Sequence, residues 1–159
     1  MKKYELTAEF IEKWGKKLFR IKALISFGSV EAGKLGGYVE KEDNLAQDGD
    51  AWVYGNARVY GNARVCGNAE VCGNADYLLI GRIGSRFSFT TFFKNKDKGI
   101  TVSCGCFLGT IAEFRAKVTD THGNNKHAKI YNLAADMAEL QILGEEHFDK
   151  LNTNKSEPF

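Results

Sequence analysis

A six-residue pattern of inward and outward positions repeats through residues 51–76. Four consecutive hexads begin with alanine, carry valine at the third position and end in Gly-Asn. Because side chains alternate along a strand, the alanine and the valine of each hexad share one face, which we predict to be buried. Glycine and asparagine readily take positive φ, so each Gly-Asn pair predicts a corner. The predicted inward positions are Ala51, Val53, Ala57, Val59, Ala63, Val65, Ala69, Val71 and Ala75.

A hexad repeat of this kind predicts a parallel β-helix with three short strands and about 18 residues per coil. Residues 18 apart would then stack on successive coils, which places Val53 over Val71 and Arg58 over Asp76 as a predicted ion pair. Residues 33–80 have room for only about two to three coils. A β-helix of so few coils leaves backbone groups unpaired and its core uncovered at both ends. This predicts capping segments and a homo-oligomer.

The N-terminal segment, residues 1–32, is predicted to cap the first coil. Thr7 is a suitable N-cap, and lysines come late in the run that follows, so we predict a short amphipathic helix over residues 7–19. A strand is predicted to follow within residues 21–27. The apolar residues at helical spacing are Phe10, Ile11, Trp14 and Leu18.

Residues 81–151 are predicted to form a compact α+β unit that caps the other end. Alternating residues on both sides of the polar turn at 94–99 predict a β-hairpin. Thr110 and Glu113 form a capping-box pattern that begins one helix, and a second helix is predicted over about residues 126–143. Residues 152–159 predict a flexible tail. The side chains predicted to face inward from the second helix are Ile130, Leu133, Met137 and Leu140.

Composition narrows the class of protein but not its function. With 159 residues, 43% of them hydrophobic and 26% charged, the chain should fold as one ordinary domain. A formal net charge of +2 gives no overall field that would attract nucleic acid. Because no apolar stretch follows Lys2 and Lys3, and no long apolar run occurs later, we expect a cytoplasmic protein with free cysteines.

Candidate chemistry lies downstream of the repeat. Cys104 and Cys106, with His122 and His127, are the nearest approach to a metal site or to a cysteine nucleophile with a base. The spacing of the two cysteines is not that of a zinc knuckle, and buried thiols that behave as small apolar groups are the favoured alternative. We therefore predict no metal, no cofactor and no catalytic residue.

The predicted binding residues follow the last coil and combine positive charge with aromatic neighbours. The glycines and arginines of residues 81–86 could cradle an anion, although a plain connector is the favoured interpretation. The phenylalanines of residues 87–93 are expected in the core, but an exposed face beside the following lysines would suit a protein partner or stacked bases. These binding candidates are Arg82, Arg86, Lys94, Lys96 and Lys98.

The repeat resembles the hexapeptide-repeat left-handed β-helix family, whose best-known members are trimeric acyltransferases that use CoA thioesters and a catalytic histidine. Residues 33–45, 49–57 and 102–114 also resemble uncharacterised β-helix proteins of phages and prophages. The implied fold is mainly β with α: a short left-handed parallel β-helix of two to three coils, an N-terminal helix and a C-terminal cap of a β-hairpin plus two helices. The resemblance also implies a trimer in the cytoplasm of a bacterial host.

The expected function is that of a non-catalytic binding or scaffold protein of phage or prophage type. It would inhibit a host defence system by binding a protein or a nucleotide-like ligand. One alternative is a CoA-dependent acyltransferase, although His122, His127 and His147 all lie outside the repeat. A nucleic-acid-binding protein is the other alternative, and no membrane partner is expected.

Overall fold

Two four-stranded sheets, one two-stranded sheet and a C-terminal group of helices make up the computed structural model, which describes residues 2–155. No helix in this range is long and apolar enough to cross a membrane. The strands of the described range are β1 Tyr4–Lys13, β2 Lys16–Ala23, β3 Leu35–Val39, β4 Trp52–Val53, β5 Arg58–Val59, β6 Glu70–Val71, β7 Tyr77–Ile83, β8 Ser88–Lys94, β9 Ile100–Cys104 and β10 Phe107–Thr110. The helices are α1 Ile111–His122, α2 Lys126–Ala138, a π-helical continuation Glu139–Leu143 and α3 Glu145–Lys155.

The N-terminal segment forms a β-hairpin, so the predicted N-terminal helix is wrong. Strands β1 and β2 pair antiparallel, and Lys13 lies opposite Lys16. Trp14 and Gly15 form the turn between them, with φ of 53° and 77°. Leu18 is buried, whereas Trp14 is 67% exposed. A short helix is marginal by itself, and β2 gains further hydrogen bonds by pairing with β3 as well as with β1.

The predicted left-handed parallel β-helix of two to three coils is also wrong. Antiparallel pairs dominate the two larger sheets, whose strand orders are β1-β2-β3-β5 and β10-β9-β8-β7. Parallel pairing within the described residues is limited to β3 with β5, β4 with β6 and one bridge between Leu45 and Val65. Gly55, Gly61 and Gly67 take positive φ, as the corner prediction requires, and the strands of the repeat are therefore only two residues long.

Individual contacts within the repeat follow the prediction in part. Val53 pairs with Val71, as expected for residues 18 apart. Arg58 and Asp76 form no ion pair, because the Asp76 carboxylate instead accepts hydrogen bonds from the backbone amides of Cys72 and Gly73. The turn that contains Asp76 thus supplies the hydrogen bonds of its carboxylate, which was predicted to pair with Arg58 on the neighbouring coil.

The inward residues of the four hexads form a core, as predicted. The alanines and valines from Ala51 to Val71 are all buried. Ala75, the last predicted inward alanine, is exposed, because the chain turns into the short 3-10 helix Asn74–Asp76 at the end of the repeat. Trp52, which the pattern places outside, is fully buried because the N-terminal segment covers it. Its ring packs edge-on against Tyr4 at 6.2 Å and Phe27 at 5.3 Å between centroids.

Lys3 lies in the same region and is a buried cation. Its ammonium group donates to the carbonyl of Ala51 at 2.8 Å and lies 4.7 Å from the centre of the Phe27 ring. Burial lowers the pKa of Lys3 to about 8, although the carboxylates of Asp48 and Asp50 act in the opposite direction. Lys3 therefore holds the first strand onto the loop before β4 through backbone carbonyls.

The C-terminal part confirms the predicted hairpin and both predicted helices. Strands β8 and β9 pair antiparallel, and β7 and β10 extend them to a four-stranded sheet. The Thr110 hydroxyl accepts from the amide of Glu113, and the Glu113 carboxylate accepts from the amide of Thr110, so the capping box is present. This sheet and the helices enclose a second hydrophobic core.

The inward face predicted for α2 is wrong by about a third of a turn. Leu133, Met137 and Leu140 are 63%, 57% and 44% exposed. The face that packs on α1 and the sheet instead carries small side chains, which allow a close approach between the backbones. These buried residues are Ala128, Ala134, Ala135 and Ala138.

A charged cluster also fixes the rotation of α2. The guanidinium group of Arg115 on α1 donates to the carboxylates of Asp136 and Glu139, both at 2.7 Å. Glu139 is only 4% exposed, so its charge needs this partner.

The predicted boundary between residues 80 and 81 falls inside β7, and the predicted tail at 152–159 begins within α3. Residues 156–159 lie outside the described range.

Candidate functional site

A cavity of about 520 Å³ opens at one end of the β10-β9-β8-β7 sheet, where α1 packs against that sheet. The β7–β8 turn and the β9–β10 turn form two of its walls, and α1 and α2 form the others. Its volume is that of a typical small-molecule site, about 300 to 1,000 Å³. The aromatic side chains that line it are Phe87, Phe89, Phe107, Phe114, His122 and Tyr131.

Phe114 organises the aromatic wall. Its ring meets Phe92 and Tyr131 edge-on, at 5.7 Å and 5.6 Å between centroids, and contacts Phe107 at 5.7 Å. Such edge-to-face pairs have a preferred geometry in addition to their buried area. Because α1 is fixed by its capping box, the position of Phe114 one turn into the helix is fixed as well. The wall is thus formed before any ligand arrives.

Tyr131 lines the cavity and makes polar contacts with the sheet. Its hydroxyl shares a hydrogen bond with the Cys104 thiol, and the Thr90 hydroxyl donates to the same sulfur at 3.2 Å. Burial and the neighbouring Cys104 raise the pKa of Tyr131 to about 12, although the charge of Arg86 lowers it. Tyr131 is therefore a neutral phenol at physiological pH.

Two histidines meet between α1 and α2. His122 stacks on the Tyr131 ring at 5.9 Å with an angle of 25° between the planes, and His127 lies 5.5 Å from His122. Nδ1 of His127 is buried and has no hydrogen-bond partner among the described residues. His122 faces the cavity, whereas His127 does not line it.

The cavity favours anions. Arg86 and Lys117 line it, and Ser85, Ser88 and Thr121 add hydroxyl groups. No carboxylate occurs among the described residues that line it. A negatively charged group would therefore meet two cations and several donors without a repelling charge.

Of the five predicted binding residues, only Arg86 lies in this cavity. Arg82 is exposed on β7 and does not line it. The three lysines are at the opposite end of β8, about 20 Å away for a strand of this length. There Lys98 lies 3.9 Å from Glu70, and the amide of Lys96 donates to the carbonyl of Asn68, while Lys94 ends the strand.

The structure does bring together the cysteines and one histidine that the sequence singled out. Cys104, Cys106 and His122 all line the cavity. These three side chains are not close enough together to hold a metal ion, and no other group of three or more histidine, cysteine or acidic side chains within residues 2–155 is placed to do so. Sequence reasoning missed Lys117 and Tyr131. Lys117 could have been found, because it lies one helical turn before Thr121 on a helix whose start was known.

No family model matches the chain, and a search of curated proteins finds no match. The predicted resemblance to hexapeptide-repeat left-handed β-helix proteins, including those of phages and prophages, is therefore wrong. Neither the family comparison nor the sheet topology supports it.

Proposed function

We propose that this chain is a non-catalytic binding protein whose cavity takes a nucleotide-like ligand, that is, a flat ring joined to a phosphate or a similar anion. One observation carries the proposal: aromatic walls, two cations and several hydroxyl donors line a single cavity that carries no carboxylate in its described lining. Apolar walls with a few placed polar groups are the usual composition of such a site.

The ring of the ligand would lie among the phenylalanines. Phe87 is 68% exposed at the mouth, which leaves its face open to a flat group. It has φ of 49°, so the β7–β8 turn rather than the core sets its position. An aromatic side chain held in this way offers large contact area at little cost in conformational entropy.

The anion of the ligand would lie between Arg86 and Lys117. Arg86 follows β7 in the same turn as Phe87, and Lys117 reaches the cavity from the middle of α1. Arginine can offer two parallel donors to a phosphate, and lysine acts as a point charge. Together they would fix the orientation of the ligand as well as its charge.

The thiol of Cys104 supports a binding role better than a catalytic one. Its sulfur accepts a hydrogen bond from Thr90 and shares another with Tyr131, a phenol that stays protonated at neutral pH. A protonated phenol is not the general base that a nucleophilic cysteine needs, and no contact between Cys104 and His122 is found among the described residues. The proposal therefore gives Cys104 the task of orienting Tyr131.

Isothermal titration with AMP, ADP and GMP tests the proposal, with adenosine and inorganic phosphate as the two halves of the ligand. We expect saturable binding of at least one nucleotide and weaker binding of each half. Arg86→Ala and Lys117→Ala should each lower the affinity about 10- to 100-fold. Arg82→Ala and Lys129→Ala remove exposed cations that do not line the cavity and serve as matched controls. Equal affinity in Arg86→Ala and Arg82→Ala would contradict the site.

A CoA-dependent acyltransferase is the second candidate, because His122 lies in the same cavity as Cys104 and Cys106. It requires release of free CoA from acetyl-CoA and loss of that release in His122→Gln.

The expected role in inhibiting a host defence depended on the rejected resemblance and is not part of the proposal. A homo-oligomer, with a trimer favoured, stays a prediction that light scattering would check.

A further inference from the structure

A second cavity, of about 350 Å³, lies where the tip of the N-terminal hairpin meets the hexads. It shares no lining residue with the first cavity. Trp14 comes from the β1–β2 turn, Arg58 and Tyr60 come from one hexad corner, and Tyr77 comes from the start of β7. Three aromatic rings and one guanidinium group thus surround a small open space.

Trp14 is held in position without being buried. It is 67% exposed, and its ring lies 5.1 Å from that of Tyr60 with an angle of 32° between the planes. Its positive φ of 53° belongs to the tight turn with Gly15. A large apolar ring fixed by a turn and left largely in water offers a stacking surface to a partner.

Arg58 has an unused donor beside this ring. Its backbone is fixed on both sides, since its amide donates to Asn74 and its carbonyl accepts from the Tyr77 hydroxyl at 2.7 Å. Nε of its side chain is buried and has no partner among the described residues. No ion pair within residues 2–155 neutralises its charge. The positive charge of Arg58 therefore has no counter-charge among the described residues, and an anion bound in the cavity would supply one.

Positive charge continues along the hairpin next to the cavity. Lys13 precedes Trp14. Lys17 lies on the other face of the hairpin, with its ammonium group over the Phe10 ring. Lys16 is the exception, because it pairs with Glu40. Glu12 lies opposite Lys17 in the hairpin register and is the nearest opposing charge on these strands. The balance at the tip remains cationic.

We propose that this surface binds single-stranded nucleic acid, with one base stacked on Trp14 and the adjoining phosphates near Arg58 and Lys13. A stacking platform beside a cationic track is the usual design of sites for single strands, and it tolerates many sequences because every base has a flat face. In a duplex the bases are already stacked on each other. The site is independent of the first cavity and of the function proposed for it.

Intrinsic fluorescence offers a direct test. The chain has two tryptophans, and Trp52 is fully buried, so quenching by a ligand reports on Trp14. Titration with an oligothymidylate of about ten nucleotides should quench the emission to saturation, and the same sequence in a duplex should quench much less. The affinity should fall as salt rises, with a shallow slope that reflects about two to three phosphate contacts.

Labelled oligothymidylate and fluorescence anisotropy extend the test to variants without Trp14. Trp14→Ala should weaken binding about 5- to 150-fold, since the ring is exposed and its loss should leave the fold intact. Arg58→Gln should weaken it about tenfold, whereas Arg64→Gln, at the same position of the next hexad, should not. Arg86→Ala should also leave it unchanged, which separates this site from the first cavity.

Three results would overturn the proposal. They are the absence of quenching at millimolar oligonucleotide, unchanged affinity in Trp14→Ala, and displacement of the oligonucleotide by polyglutamate at equal charge concentration. The last would mean that the surface attracts any polyanion by charge alone.

Discussion

The hydroxyl group of Tyr131 lies directly against the backbone of Gly84. A Cβ built on Gly84 would overlap the oxygen and the outer ring carbons of Tyr131. Gly84 also has φ of 83°, a conformation that other residues rarely adopt. The turn between β7 and β8 and the helix α2 can therefore approach each other only because this position has no side chain.

Gly84→Ala should displace Tyr131 and distort the first cavity. We expect a loss of about 2 to 4 kcal/mol in the free energy of unfolding, from backbone strain and from the overlap. Gly61→Ala is the matched control, since Gly61 has φ of 66° but nothing within 4 Å of its Cβ position, and it should lose only about 1 kcal/mol. Urea denaturation measures both. Equal losses would mean that Tyr131 moves aside freely.

Arg115→Met should destabilise the helical part strongly. The substitution leaves the buried Glu139 carboxylate without its cation, and a loss of about 3 kcal/mol is expected. Lys150→Met breaks an exposed pair with Glu146 and should cost less than about 0.5 kcal/mol. The contrast is measured by thermal and urea denaturation. A combined Arg115→Met and Glu139→Leu variant should recover much of the stability, because no charge is then left unpaired.

The two faces of α2 should respond in opposite ways to a change of size. Ala135 is fully buried, so Ala135→Leu adds a large side chain to a closed core and should lower the free energy of unfolding by about 1 to 3 kcal/mol. Leu133→Ala changes a side chain that is 63% exposed and should alter stability by less than about 0.5 kcal/mol. A Leu133→Ala loss that grows with protein concentration would show that a second copy covers this face.

Lys3 should make the protein more stable as the pH rises from about 8 towards 10. The pKa of Lys3 falls from its usual 10.5 to about 8 in the folded state. The unfolded chain therefore holds more protons in this window, and the free energy of unfolding rises with pH. Below pH 8 that gain is lost. Urea denaturation at pH 7 and at pH 9.5 should show the increase in the wild type and a smaller one in Lys3→Met.

The upper limit of that window comes from three tyrosines. Burial raises the pKa of Tyr4, of Tyr77 and of Tyr131. Because the folded state then keeps protons that the unfolded chain loses, stability falls as the pH rises above 10. Burial also raises the pKa of Cys66 and of Cys72, which lowers stability within the same window, so the difference between the wild type and Lys3→Met isolates the effect of Lys3.

The N-terminal hairpin shows why local periodicity misled the prediction. Phe10, Trp14 and Leu18 have helical spacing. In the hairpin Phe10 lies opposite Phe19 and Leu18 lies opposite Ile11, so Phe10 and Leu18 are on opposite faces and Trp14 is in the turn. Trp14-Gly15 was the available signal for a two-residue turn, and it was not used. Only the pairing of β2 with β3, which is remote in sequence, decides between the two structures.

The repeat shows a different limit. Its period correctly predicted the buried alanines and valines from Ala51 to Val71 and the positive φ of Gly55, Gly61 and Gly67, because these depend on the hexad alone. It failed at the last hexad, where Gly73 is extended with φ of −150° and Ala75 is exposed. It also did not predict that β5 would pair with β3 and so join the sheet of the N-terminal hairpin, which depends on contacts outside the repeat. Trp52 illustrates the point, since a position that is outward within the hexad is buried under Tyr4 and Phe27.

The candidate site was predicted only in pieces. Arg86, Cys104, Cys106 and His122 were all singled out, but as three separate possibilities rather than one cavity. The phenylalanines on either side of these residues gave no hint of which faces would be open. Tyr131 could not be placed because its role depends on the rotation of α2, and alanines rather than leucines determine that rotation.

Strand β8 connects the two halves of the molecule through adjacent residues. Phe93 belongs to the core of the hexads and the N-terminal hairpin, and Phe92 belongs to the core beneath the helices. A cut anywhere in this strand would deprive both halves of a fully buried ring. Neither half should therefore fold as an independent module when it is expressed alone or fused to another protein. The two proposed binding surfaces have to be studied on one uninterrupted chain.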